Sequence, residues 1–212
     1  MRPRWWLFGA GRVIAVDSLA SRLDMARAQG AEIIDFGAED PMKTIRDLTG
    51  GIGVHRIIDA VGLDAKRPHS GPGAHASAQV GVDPKPAKTR PQEGNWVPGD
   101  ASSLVLTWSV DAGAKAGTVS IIGVYGENVN SFPVGRAMNK NLTLTMGNCN
   151  HRKYIPHLVE LVRNGSVARG KILTQVEPMT SAIEAYRAFD KREPGWIKIK
   201  LEPRRKTEGR AA

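Results

Sequence analysis

The chain has 212 residues, 41% of them hydrophobic, and a formal net charge of +9. That length and apolar content suit one good-sized domain with room for an extension, and exclude wholesale disorder. The charge raises nucleic acid as a partner, but the basic residues are dispersed over Arg2 and Arg4, Lys85–Arg90 and Arg204–Lys206, with no aromatics alternating among them, so a solvated basic surface is expected instead.

Cys149 is the only cysteine, which excludes an intrachain disulfide and any CxxC metal or redox motif. Met1–Phe8 opens like a charged signal-peptide start, yet its apolar run stops at Gly9–Arg12, too short for an h-region. No stretch approaches the ~20 apolar residues of a membrane span. The expectation is a soluble, cytoplasmic protein with no membrane partner.

In chain order, Met1–Phe8 reads as an unrelated or unstructured start. Arg12–Asp17 is a short β-branched run of the kind buried on both faces of a parallel sheet. Ser18 then caps a predicted helix with Leu19, Leu23 and Ala26 on one side and Gly30 at its end. Ala31–Asp35 is the second strand. Asp40 as N-cap and Pro41 at the first helical position open a second helix, with Met42, Ile45 and Leu48 as its stripe, and Gly50–Gly53 ends it. His55–Ala60 is a third strand. Strands separated by single helices imply right-handed crossovers and a parallel sheet.

Residues 62–100 show no period of two or 3.6 and read as a long irregular insertion. Ala101–Ala116 reads as helix, Thr118–Gly123 as a buried strand and Leu142–Met146 as an alternating one. Tyr154–Arg163 puts Ile155, Leu158, Val159 and Val162 on one helix face, stopped by Asn164-Gly165. Ser181 and Glu184 form a capping-box pattern ahead of Ile183, Tyr186 and Phe189, which are expected to be buried. Trp196–Leu201 alternates as a one-side-wet strand, and Arg204–Ala212 reads as a disordered tail.

Few residues could carry chemistry. Asp17 ends a parallel strand just before a helix, where a carboxylate can accept both hydroxyls of an adenosine ribose and repel a 2′-phosphate; it could equally cap the next helix. Arg22, one turn on, can lie over the adenosine or remain a surface charge. Gly9-Ala-Gly11 does not meet the context of a dinucleotide fingerprint, because a strand follows it rather than a helix. Ala60-Val61-Gly62 and Ile122-Gly123-Val124 are strand ends of the sort that border ligands in open α/β sheets, or else ordinary strand-to-turn transitions. His69, His75, His151 and Cys149 offer no three-ligand set of the kind a catalytic zinc needs.

Arg12–Asp17 with Arg22-Leu23, Gln29-Gly-Ala31, Leu48-Thr-Gly-Gly51, Ile58–Gly62 and Gly117–Tyr125 occur in order and resemble the cofactor domain of the zinc-dependent medium-chain alcohol dehydrogenases. Gly147–Pro156, Leu158–Gly165 and Ile197–Leu201 are similar to the subgroup containing the glutathione-independent formaldehyde dehydrogenases, as is the insertion at 62–100. The resemblance implies an α/β fold: a Rossmann-like doubly wound parallel sheet lacking its first strand and glycine-rich loop. It implies a truncated NAD-binding domain over 9–150, and C-terminal helices with a closing strand over 151–203 that pack back toward the family's catalytic domain.

By that resemblance NAD is the cofactor. Asp17 binds the adenosine ribose, flanked by Arg22; Val61 lies along the cofactor; Ile122, Gly123 and Val124 contact its nicotinamide end; Lys198 sits near the pyrophosphate. Zinc belongs to the full-length family, whose cysteine, histidine and acidic ligands have no counterpart here, so the chain alone is expected to be inactive. The alternative is a non-catalytic nucleotide-binding or dimerisation module that forms homo- or hetero-oligomers with a full-length relative.

Overall fold

The computed structural model describes residues 8–78, 80, 99–126, 131–167, 170 and 172–203, and in it the alternating patterns become alternating strands and helices. The start at 1–7, most of the basic insertion at 81–98 and the tail at 204–212 lie outside the described residues. The first unit contains β1 (Ile14–Asp17), α1 (Ala20–Ala28), β2 (Glu32–Asp35) and α2 (Pro41–Leu48). The second has β3 (Val54–Asp59), α3 (Gly71–Ala78), α4 (Ser102–Ala112), β4 (Gly113–Ile121), α5 (Val134–Asn139) and β5 (Thr143–Met146). The chain then runs through α6 (His151–Arg163), β6 (Gln175–Pro178), α7 (Ala182–Asp190) and β7 (Ile199–Glu202).

All strand pairs are parallel, in three sheets ordered β1-β2, β3-β4-β5 and β6-β7. The fold is α/β and Rossmann-like. In the dinucleotide-binding order 3-2-1-4-5-6 a first strand stands between the two halves. Among the described strands β1 pairs with β2, and β3 with β4, which agrees with that order.

The core lies between the first two sheets and the helices α2 and α4. Ile34 of β2, Ile45 of α2 and Ala112 of α4 form one cluster, against which Ile14 and Val54 pack. Leu104 and Trp108 of α4 join Ala65 and Ala101 in a second, where Phe36 meets the Trp108 ring edge-on at 5.9 Å. The α4 segment is buried on almost every residue from Ser102 to Val110, its small polar residues Ser102, Ser103, Thr107 and Ser109 included.

Several local expectations hold. Asp40 accepts from the amides of Met42 and Lys43 with Pro41 following it, and Gly30, at φ +85°, closes α1. Gly9, at φ +79°, sits in a turn that feeds β1.

Others are corrected. The N-cap of α1 is Leu19 rather than Ser18, with no side-chain cap bond, and the Asp17 carboxylate holds the amides of Ser18 and Leu19 in the turn that precedes it. Within the insertion, residues 71–78 form α3, favoured by Pro72 in the first turn and three alanines. The predicted helix over 101–116 ends at Ala112, and β4 begins at Gly113. There the pairing jumps from Val54–Gly113 to Arg56–Thr118, with Ala116 at φ +59° in the bulge.

Ser181 makes no side-chain cap bond to α7. Ile183, Tyr186 and Phe189, expected inside, are 65%, 72% and 48% exposed, and Ala185 and Ala188 are buried instead. The helix period was right, but it is the small residues that are covered and the large ones that stand largely in solvent. α6 likewise buries none of its residues. Trp196–Lys198 precede the closing strand, which runs over Ile199–Glu202 and pairs with β6, a strand the sequence pattern did not reveal.

One lysine stabilises the switch from α4 to β4. Lys140 Nζ donates to the carbonyls of Val110, Asp111 and Gly113 at 2.9, 2.8 and 2.9 Å. These are among the acceptors a helix end leaves without intrahelical partners. Burial, with Arg46 and Arg136 nearby, holds its pKa below the ordinary lysine value, offset in part by Asp111.

Candidate functional site

Parallel pairing brings strand carboxyl ends together, and ligands in open α/β sheets bind at that edge. On the first sheet Asp17 and Asp35 are register partners at the ends of β1 and β2. Asp17 Oδ1 accepts from the amides of Ser18 and Leu19 at 2.7 and 2.9 Å, and Oδ2 faces Arg22 at 3.5 Å. One oxygen of Asp17 thus organises the turn into α1, and the other is held by a long, solvent-open ion pair. The Asp17 side chain is 29% exposed and that of Arg22 46%. Asp35 is committed to its own turn through the Gly37 amide at 2.8 Å.

On the second sheet the ends of β3 and β4 meet. Leu63 donates its amide to the Val124 carbonyl at 2.8 Å, and Gly62 and Gly123 stand backbone to backbone. A Cβ on Gly62, which is at φ +62°, would strike the Val124 backbone, and one on Gly123 would strike Gly62. The glycines thus serve first to let the two strand ends touch.

Around them the side chains of Val61, Ile122 and Val124 point outward, 43%, 66% and 76% exposed. They form an apolar rim at the edge where the flat parts of ligands settle in such sheets. Lys198 lies just before β7 in the third sheet, its backbone bonded to Thr174 and its side chain exposed. It is therefore carried by a different sheet from the other six residues.

Two residues that the sequence reading passed over belong here. Asp59 is 2% exposed and its Oδ1 accepts from the amides of Val61 and Gly62 at 2.9 and 3.3 Å. Its Oδ2 accepts from the Tyr125 hydroxyl at 2.5 Å. An acid closing the otherwise apolar run Ile57-Ile58-Asp59 was the available clue, since a buried carboxylate needs partners.

Residues 6–68 match the family described as zinc-binding dehydrogenase. An uncharacterised zinc-type alcohol dehydrogenase-like protein of Bacillus subtilis is 34% identical over 207 residues, covering 93% of this chain and 48% of that protein. The chain resembles the C-terminal, NAD-binding part of zinc-type alcohol dehydrogenases.

Two solved structures share the fold. Alcohol dehydrogenase TADH from Thermus sp. ATN1 superposes with a TM-score of 0.70 at 23% identity, over 94% of this chain and 46% of that one. An alcohol dehydrogenase from E. coli CFT073 complexed with NADH gives 0.66 at 16% identity, over 93% and 46%. The chain thus spans about half the length of these relatives.

Zinc does not fit the described residues. No group of three or more His, Cys, Asp or Glu side chains converges among them, and His69 stands alone with Asp100 at 4.0 Å, both exposed. No described helix is long and apolar enough to cross a membrane.

Proposed function

We propose that this chain is the NAD-binding portion of a zinc-dependent alcohol or aldehyde dehydrogenase of the formaldehyde type. The observation that carries the reading is the Asp17 carboxylate, fixed by one oxygen at the end of a parallel strand with the other open beside Arg22. A ribose diol would replace the long Arg22 contact on Oδ2, and a 2′-phosphate would meet the same charge repulsively. Val61, Ile122 and Val124 would give the nicotinamide end an apolar seat that excludes water, with Gly123 keeping the backbone close. Lys198 would approach the pyrophosphate as a point charge.

NAD, when bound, supplies the hydride acceptor. The chain's own part is to hold and orient it, and by this reading the chain alone does not turn over. Soluble, cytoplasmic location belongs to the same proposal.

Calorimetric titration of the folded protein tests it. Binding of NAD in preference to NADP is expected, and Asp17→Asn should weaken NAD about tenfold, the scale of one hydrogen bond to a charged group, while narrowing the preference. No binding at millimolar NAD in a folded sample, or an Asp17→Asn protein that binds unchanged, sinks the assignment.

A second reading, a dimerisation module for a full-length relative, is favoured by one feature. Phe132, Val134, Ala137, Met138, Leu142 and Leu144 line a largely apolar groove beside strand β5, whose residues are exposed. Sedimentation at micromolar concentration checks it, and a strict monomer even with a relative present would remove it.

A further inference from the structure

We infer that Asp59 is a positioning residue for the nicotinamide-facing rim: it clasps the ends of β3 and β4, so that Val61, Ile122, Gly123 and Val124 hold one fixed arrangement. The inference rests on the cofactor reading above.

Every polar atom of Asp59 beyond its own amide is spent at this edge. Its Oδ1 holds the amides of Val61 and Gly62 on the β3 side. Its backbone oxygen holds the amides of Ile122 and Gly123 on the β4 side, at 2.8 and 3.0 Å. Its Oδ2 reaches further along the same segment to the Tyr125 hydroxyl, which brackets Val124 between two tied residues. Among the residues so tied, Val61 and Ile122 have apolar side chains that stand in solvent, as does Val124 between its tied neighbours. A carboxylate recruited only to stabilise the core would gain nothing from that choice. Gly62 and Gly123 already touch, so the strand ends cannot approach more closely, and the carboxylate adds to the backbone bonds of Leu63 and Asp59 a further restraint against their sliding apart.

The consequence is selective. Loosening the clasp should cost affinity for a ligand that reaches the rim and leave one that stops at the ribose and phosphates. NAD and ADP-ribose are such a pair, differing by the nicotinamide ring.

The test compares the wild-type chain, Asp59→Asn and Tyr125→Phe by calorimetry with both ligands, and follows amide exchange at Val61 and Gly62. Asp59→Asn should weaken NAD about tenfold and Tyr125→Phe about threefold, with ADP-ribose changed by no more than about twofold. Exchange at Val61 and Gly62 should speed up in Asp59→Asn. Equal losses for the two ligands, unchanged NAD affinity, or unchanged exchange overturns the clasp while the cofactor reading stands. A folded wild-type chain that binds neither ligand overturns both. Tyr125→Phe keeps the result interpretable if Asp59→Asn does not fold.

Discussion

Replacing Lys140 with methionine keeps its stem and removes its ammonium, leaving the carbonyls of Val110, Asp111 and Gly113 without their donor. A hydrogen bond involving a charged group contributes about 1.5–3 kcal/mol. Three such bonds from one nitrogen do not sum, because water can reach a half-buried site and because burying the ammonium has its own cost, visible as the lowered pKa. The expected destabilisation is about 2–4 kcal/mol, read as a lower urea midpoint with an unchanged slope.

The pH dependence has a definite sign. A lysine whose folded pKa lies below its unfolded value binds fewer protons in the native state across that window, so stability rises with pH through it. The gap between wild type and Lys140→Met should therefore widen from the depressed pKa up to 10.5, the ordinary lysine value. A Lys140→Met protein destabilised by less than about 0.5 kcal/mol, the range of ordinary surface changes, would refute the capping role. A gap that narrows with rising pH would refute the argument from burial.

Other perturbations separate neighbouring ideas. Asp40→Ala, which frees two backbone amides, should cost about 1 kcal/mol by thermal or urea melting, whereas Ser181→Ala, at a cap position without a side-chain bond, should cost almost nothing. Gly62→Ala should destabilise by more than about 2 kcal/mol in the same melts, since it forces both a strained φ and a collision with Val124. Asp17→Asn and the Asp59→Asn and Tyr125→Phe pair are read by ligand titration instead, and neither carboxylate exchange should abolish the fold detected by circular dichroism.

The alternation of short β-branched runs with capped helices from Arg12 to Asp59 determined the parallel α/β architecture, because period and punctuation are local properties. Asp40 with Pro41, Gly30 as a stop, and Asp17 at a strand end were legible for the same reason. The outward rim was only half legible: Val61, Ile122, Gly123 and Val124 could be named, but not why the glycines are there. That reason is the contact between strand ends far apart in sequence.

The same limit explains the errors. Ile183, Tyr186 and Phe189 have the spacing of a buried face, yet a helix period does not say which neighbour is present to bury it, and the buried residues are Ala185 and Ala188. β6 was hidden because Gln175–Pro178 becomes a strand only by pairing with β7. Lys140 could be seen only as one more basic residue until the fold carried it to the end of α4. Asp59 read as one residue of the strand His55–Ala60, and tertiary structure alone set its carboxyl group between Val61 and Tyr125, because a buried polar group is defined by partners that the local sequence does not contain.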